Sequence, residues 1–200
     1  MVIIMGIKGV IAWRFFAEKI NLIAVKALLH ALVGKLIEEK GMENVYGELK
    51  EIGKRMGMWI YLHYLEKARF VAKSIKDDWK EDNLGWKFFT GKEFQTIIYE
   101  IRDGGKTVVI KCRSTDNPIC KGLESPDPRI KFSAIAAGIF EWASQQREAD
   151  YGAINVIVDE TKCLAAGDEY CEFTFIWEFP EDQAKEILKE FGGEGEFRVK

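Results

Sequence analysis

The stretch 160-ETKCLAAGDEYCEF-173 decides the fold of the C-terminal part of the chain and contains two of its four cysteines, eight positions apart. Gly167 and Asp168 are typical turn residues, and β-branched and aromatic residues dominate on both sides, in 154–163 and 170–179. The stretch therefore predicts the turn of a β-hairpin, with one cysteine near the end of each strand.

Cys163 and Cys171 are compatible with a metal site, a disulfide or two buried free thiols that pack as small hydrophobic groups. Paired strands lie close enough for both sulfurs to reach one site. Glu160 is harder to place, because strand residues alternate between faces and a residue three positions before Cys163 points away from it unless the strand bulges. A site shared with Glu160 therefore predicts an irregular strand end; otherwise Glu160 is a solvated carboxylate.

Composition narrows the class of protein. A net charge of −3 and a pI near 5.6 provide no basic field, so we expect no direct binding to nucleic acid. The apolar N-terminal run is shorter than a membrane span and has no signal-peptide cleavage site, so we expect a cytoplasmic protein without a span. Cytoplasmic cysteines favour thiols or metal ligands, although the Glu- and Lys-rich, thermophile-like composition leaves a disulfide open.

The remaining chain shows alternating helical and strand patterns. A first helix is predicted over 21–40, with Asn21 as N-cap and Gly41 after its end. A hairpin is predicted from two β-rich segments joined by 102-RDGGK-106, and a long loop from 113–129, which holds three of the four prolines. Further helices are predicted over 43–65, 67–79 (ending in 80-KEDN-83), 131–146 and 181–191.

This order predicts an α+β fold, an antiparallel sheet with N-terminal helices and further covering helices. We expect one domain over 1–200, with a helical part over about 1–85 and a sheet-containing part over about 86–200. Gly47, Gly53 and Gly57 recur in the second helix and indicate close helix packing or a break. The apolar segment before Trp13 is interpreted as a core strand or an arm exchanged in a dimer.

The pattern Glu160-Thr-Lys-Cys163-Leu-Ala-Ala-Gly167-Asp168-x-x-Cys171-x-Phe173 resembles the C-terminal signature of the 4-vinyl reductase domain family. The wider relatives of that family include subunits of the Golgi transport (TRAPP) complexes and the sensor domains of phenol-responsive activators. The resemblance implies a ligand-binding fold, often a homodimer, with a hydrophobic pocket between helices and sheet.

In the phenol sensors, the resemblance also implies a zinc ion held by a glutamate and two cysteines at this spacing, with a third cysteine upstream. Glu160, Cys163 and Cys171 match those positions. No cysteine lies at 129–132, so Cys120 is the predicted fourth ligand, with Cys112 as the other nearby cysteine. Three thiolates and a carboxylate would form a closed, structural zinc site, whereas a site without the fourth residue would keep an open position.

Aromatic residues provide candidates for a ligand pocket. Most of them are explained by core packing, but an apolar pocket for a planar or hydrophobic small molecule would use the same residue types. His30 and His63 are more simply ordinary core or surface histidines than ligands. The residues that we select as a candidate pocket are Trp59, His63, Phe132 and Trp142.

These observations favour a sensor-type domain that binds a small hydrophobic or aromatic ligand and contains a structural zinc ion. The alternatives are a reductase acting on a vinyl group of a tetrapyrrole-like substrate and a non-catalytic dimeric assembly subunit. An enzyme is less favoured, because a reductase needs a hydride or electron source and the sequence has no Gly-rich dinucleotide fingerprint. We therefore predict no nucleotide cofactor.

Overall fold

The computed structural model of the protein describes the backbone of residues 7–60 and 72–200 and the side chains of 22–60, 72–87 and 89–200. In this part of the chain the α-helices are α1 (Ile7–Lys40), α2 (Val45–Ile60), α3 (Trp79–Thr90), α4 (Ala134–Gln145), α5 (Glu148–Tyr151) and α6 (Glu181–Phe191). The strands are β1 (Thr96–Arg102), β2 (Thr107–Ser114), β3 (Asn155–Lys162), β4 (Cys171–Glu178) and β5 (Gly195–Arg198).

The described strands form one antiparallel sheet in the order β3-β4-β2-β1-β5. The predicted α+β fold is therefore confirmed. Both predicted hairpins are present, and the turn of the first one holds Asp103, Gly104 and Gly105 at positive φ. Glycine adopts this backbone conformation without steric cost, which is why the Asp-Gly-Gly sequence reverses the chain here.

One face of the sheet forms the larger of two hydrophobic cores, because alternate strand residues point to the same side. Helices α3, α4 and α6 cover this face, and their largest contributions are Trp86, Phe140 and Phe191. A second, smaller core lies between α1, α2 and the loops that precede α4 and follow β3. The sheet residues that line the larger core include Ile97, Tyr99, Ile110, Cys112, Phe173, Phe175 and Trp177.

Helices α2 and α4 approach each other closely at glycines. A Cβ atom on Gly53 would lie 2.1 Å from the backbone oxygen of Ile135, and one on Gly138 would lie 2.0 Å from the backbone oxygen of Lys50. Such distances leave no room for a side chain. The prediction of close helix packing is therefore confirmed at Gly53, whereas a Cβ on Gly47 would meet nothing within 4 Å.

Two predicted element boundaries are wrong, and one strand was not predicted. Helix α1 begins at Ile7 and runs through Asn21, so the segment from Ile7 to Trp13 is helical and is not a strand. The cluster 80-KEDN-83 lies in the first half of α3 and does not end a helix. Its acidic residues suit a helix N-terminus, where the helix dipole favours negative charge. The short edge strand β5 was not predicted, since its sequence is polar and lacks strand periodicity.

Among the helices in the described residues, none is both long and apolar enough to cross a membrane.

Candidate metal centre

Four side chains from separate parts of the chain meet at one end of β3 and β4. Cys120 comes from the loop between β2 and α4, Glu160 from the end of β3, Cys163 from just after β3, and Cys171 from the first position of β4. One sulfur or carboxylate oxygen from each residue lies within 4.8 Å of those of the others. All four side chains are buried. The structure thus brings together the four residues selected from the sequence.

An irregularity in β3 brings Glu160 and Cys163 to the same place. Glu160 pairs with Phe173 and Lys162 with Glu172, so the register between β3 and β4 shifts at Thr161. An extra residue in one strand reverses the alternation of side chains beyond it. The irregular strand end predicted for a shared site is therefore confirmed.

The Glu160 carboxylate lies in a position that favours a cation. Its side chain is 1% exposed, and neither of its oxygens has a hydrogen-bond partner outside the cysteine cluster among the described residues. Burial, together with the negative charge of Cys163, raises the pKa of Glu160 well above its usual range. A buried carboxylate without partners is costly unless it is protonated or binds a cation.

The three thiols of the cluster lie close enough to shift one another's pKa values. The Cys120 and Cys163 sulfurs are 3.5 Å apart, and all four cysteines of the chain are free thiols. Hydrogen bonding to Cys163 and Cys171 and burial raise the pKa of Cys120, whereas hydrogen bonds from Cys120 and Cys171 lower the pKa of Cys163. Three thiols that hydrogen-bond to one another therefore lie next to the Glu160 carboxyl.

The donor set fits a zinc ion. Zinc binds thiolates at about 2.3 Å and carboxylates at about 2.0–2.2 Å, so the ligand atoms of a tetrahedral site lie roughly 3.3–3.8 Å apart. The four candidate atoms, within 4.8 Å of one another, are already close to this arrangement. Thiolate ligands favour zinc over magnesium or calcium, and four protein ligands leave no open position for water.

Two polar residues beside the cluster were not predicted. Asn117 and Ser133 are both fully buried, and the Asn117 side-chain amide donates hydrogen bonds to the sulfurs of Cys120 and Cys171 at 3.4 and 3.2 Å. The Ser133 hydroxyl lies 2.8 Å from the Cys120 sulfur. The only local signal was the Asn-Pro pair at 117–118, which predicts a turn and not a contact with thiols.

Cys112, the other candidate for the upstream ligand, lies elsewhere. It is on β2 in the larger core, among apolar side chains of the sheet. Burial raises the pKa of its thiol well above the usual value, with further contributions from Asp82 and Asp78. Cys112 is therefore a buried neutral thiol that packs as a small hydrophobic group.

The candidate pocket residues lie in different parts of the structure. Phe132 is fully buried in the smaller core, whereas Trp59 is 54% exposed and lines an apolar groove of about 460 Å³ on α2. Trp142 is half-buried on α4, near Gly57 of α2. His63 lies outside the described residues. These residues remain a prediction as a ligand site.

A second surface cavity lies beside the cysteine cluster. It is an open cleft of about 760 Å³ between α1 and the two loops that carry Cys120 and Cys163. His30 is exposed on its α1 side, with its ring 5.9 Å from that of Phe132. The cleft is lined by His30, Gly122, Leu123, Glu124, Leu164, Ala165 and Gly167.

No protein-family model matches the sequence, and no curated protein does so either. Solved structures that share the fold include the following two. One is a trafficking protein particle complex subunit 3 from Naegleria fowleri covalently bound to palmitic acid, with a TM-score of 0.62 and 19% identity over 82% of this chain and 99% of that chain. The other is the phenol-responsive sensory domain of the transcription activator PoxR with phenol, with a TM-score of 0.53 and 14% identity over 82% and 80%.

Proposed function

We propose that this protein is a non-catalytic, metal-stabilised domain that binds a small hydrophobic ligand, with zinc held by Cys120, Glu160, Cys163 and Cys171. The observation that carries the proposal is the buried cluster itself: three thiols and a carboxyl lie within 4.8 Å of one another, and among the described residues the carboxyl has no hydrogen-bond partner outside the cluster. Four protein ligands make such a site structural. Zinc there would tie the loop before α4 to the β3-β4 hairpin.

The proposed ligand class comes from the fold. Both structural neighbours hold a small hydrophobic molecule, palmitic acid in one and phenol in the other. The groove on α2 and the cleft beside the cysteine cluster are candidate sites in this chain, the first apolar and the second of mixed character. We propose a single cytoplasmic domain over 1–200, of the 4-vinyl reductase type, that binds an aromatic or aliphatic molecule of this kind.

Homodimer formation is the second candidate, and it is favoured by apolar side chains on the outside of α1 and α2. Ile23 and Leu28 are 68% and 70% exposed, and Met56 and Trp59 of α2 are 44% and 54% exposed. Large apolar side chains exposed on the surface can serve as protein contacts. A dimer would suit both a ligand sensor and an assembly subunit. Reduction of a tetrapyrrole-like vinyl group remains an alternative.

Elemental analysis and native mass spectrometry of protein purified without chelator or metal-affinity resin test these proposals together. We expect about one zinc ion per chain, as structural sites bind, and its loss in Cys163→Ser and Cys171→Ser. Cys112→Ser is the matched control, because it removes a buried thiol outside the cluster, and it should keep the metal. The same spectra show whether the native protein is dimeric and whether a small molecule remains bound.

Each outcome separates the candidates. Absence of zinc from the wild type, or its retention in both cysteine variants, would contradict the metal site. A dimer with zinc that retains no small molecule and shows no thermal shift with phenols or fatty acids would favour an assembly subunit. A copurified redox cofactor would favour the reductase.

A further inference from the structure

We infer that Asn117 and Ser133 are positioning residues of the proposed metal site, holding the sulfurs of Cys120 and Cys171 by hydrogen bonds and thereby slowing release of the metal. The inference rests on the proposed zinc site and deepens it by naming the groups that control how firmly the metal is held. It depends on two side chains that contribute no ligand atom to the four-residue cluster.

The contacts of Asn117 form the centre of this arrangement. Its side-chain nitrogen lies 2.6 Å from the Ser133 hydroxyl, 3.2 Å from the Cys171 sulfur and 3.4 Å from the Cys120 sulfur. The Ser133 hydroxyl is 2.8 Å from the Cys120 sulfur. Both residues are fully buried, so water does not compete for these groups.

The charge of the site explains why donors are needed. Three thiolates and one carboxylate carry four negative charges and zinc carries two positive ones, so the loaded site has an excess of two negative charges in a buried place. Hydrogen bonds to thiolates spread that charge without adding a further ion. Asn117 is suited to this task because a side-chain amide nitrogen donates and never becomes negatively charged.

Backbone contacts hold the two donors in place. The Asn117 side-chain oxygen accepts a hydrogen bond from the backbone N–H of Ile119 at 3.0 Å, and its backbone oxygen accepts one from Lys121 at 2.9 Å. These bonds close the turn that presents Cys120. Ser133 precedes α4, and its backbone oxygen accepts hydrogen bonds from the N–H groups of Ala136 and Ala137 in that helix. The donors are thus fixed by the fold and do not depend on the thiols for their position.

The Cys171 sulfur also accepts a hydrogen bond from a backbone N–H group. The backbone N–H of Leu164 lies 3.3 Å from the Cys171 sulfur. Cys120 and Cys171 are therefore each approached by two donors, with Asn117 common to both. Loss of Asn117 as a donor should weaken the site more than loss of the Ser133 hydroxyl.

The decisive variant is Asn117→Asp, which keeps the shape and the oxygen that accepts from Ile119 but replaces the amide donor with a carboxylate oxygen, which carries a negative charge beside the sulfurs. Changes to groups that support metal ligands typically lower metal affinity about 10–100-fold. We expect Asn117→Asp to release zinc to a chelator faster by a factor in this range. In the cobalt-substituted protein, the sulfur-to-cobalt charge-transfer band should move to longer wavelength, because thiolates without donors are better electron donors.

Ser133→Ala should show the same changes to a smaller degree, about tenfold in rate, and Ser133→Thr should restore the wild-type rate because it keeps the hydroxyl. Ser114→Ala is the matched control. Ser114 is also fully buried and pairs directly with Cys171 between β2 and β4, but its hydroxyl has no hydrogen-bond partner among residues 7–60 and 72–200. Its removal should change neither the rate nor the band.

The outcomes distinguish this inference from the metal site itself. Wild-type protein without metal contradicts the proposed zinc site. Wild type with about one zinc, together with a folded Asn117→Asp that matches it in rate and cobalt spectrum, overturns the role of Asn117 alone. Should Asn117→Asp fail to fold by circular dichroism, Ser133→Ala decides: a rate and spectrum equal to those of Ser114→Ala refute the inference.

Discussion

Glu141 on α4 and Glu160 on β3 are both buried glutamates, but they differ in the partners of their carboxyl oxygens. Glu141 is 3% exposed and is contacted by Lys50 at 2.7 Å and Lys54 at 2.6 Å, with a further hydrogen bond from the backbone N–H of Val158. Glu160 is 1% exposed, and in the part of the chain that the structure describes neither of its oxygens has a hydrogen-bond partner outside the cysteine cluster.

The pKa values of the two carboxyls shift in opposite directions as a result. Burial acts to raise the pKa of Glu141, but the hydrogen bonds from Lys50 and Lys54 outweigh it and lower the pKa. Burial and the charge of Cys163 raise that of Glu160. A buried carboxylate needs a positive charge nearby. For Glu141 the chain supplies that charge, and for Glu160 the proposed zinc ion would.

The largest expected effect comes from separating the helices that pair Glu141 with its lysines. Gly138→Ala would place a Cβ atom 2.0 Å from the backbone oxygen of Lys50 and force α2 away from α4. We expect a loss of about 3 kcal/mol in the free energy of unfolding, measured by urea denaturation. Gly47→Ala on α2 meets nothing within 4 Å and should gain up to about 1 kcal/mol. Equal stability of the two variants would contradict the close helix contact.

Replacing each of the two glutamates by glutamine should have a smaller effect on the free energy of unfolding, and the two variants should differ. In metal-free protein, Glu141→Gln removes the charge that pairs with Lys50 and Lys54, which should cost about 2–3 kcal/mol; this lies below the range for breaking a buried pair because both lysines are partly exposed. Glu160→Gln should change stability by less than about 1 kcal/mol, since a protonated carboxyl and an amide are similar.

Added metal should make the Glu160→Gln substitution more costly in stability than it is in the metal-free protein. With zinc added, the wild type should gain stability and Glu160→Gln should gain less, because one ligand is weakened. Urea denaturation with and without zinc measures both effects. A large loss for Glu160→Gln in the metal-free protein would mean that Glu160 has a protein partner, and the contrast with Glu141 would fail.

A third group of buried acids has a positive charge nearby, but fewer positive charges than carboxyls. Asp78 and Asp82, near the start of α3, and the half-buried Glu81 share one guanidinium, that of Arg147. Burial raises the pKa of Asp78 to about 6 and that of Glu81 to about 7. It also raises the pKa of Asp82, with a further contribution from the charge of Asp78. One cation is too few for three carboxylates.

The smallest expected effect is the pH dependence of this group. Because the folded pKa values are raised, the stabilising contribution is fully present below the unfolded values near 4 and is lost as pH rises to about 7. Asp82→Asn should reduce that loss, because it removes a buried carboxyl whose pKa is raised by burial and by the charge of Asp78. The half-exposed Asp77→Asn, in the same segment, should follow the wild type. Urea denaturation at pH 4.5 and 7.5 measures the difference, and parallel behaviour of all three proteins would refute the assignment.

The sequence was most informative where chemistry and local pattern coincide. The spacing of Glu160, Cys163 and Cys171 selected three members of the cluster by resemblance, and the alternation of strand residues predicted the bulge that lets Glu160 join them. Cys120 was selected only as the nearest cysteine in a long loop. Asn117 and Ser133 were missed, because a buried amide and a hydroxyl have no sequence pattern that distinguishes them from turn and cap residues.

The sequence by itself determined the two hairpins, the helices α4 and α6, the α+β class and the chemical types of the candidate ligands. These depend on turn residues and periodicities that act within about ten residues. Only the tertiary structure decided the strand order, the edge strand β5, the true start of α1 and the partners of the two buried glutamates. Those features join residues as distant as Lys50 and Glu141, and packing of the whole chain, which no local pattern contains, brings them into contact.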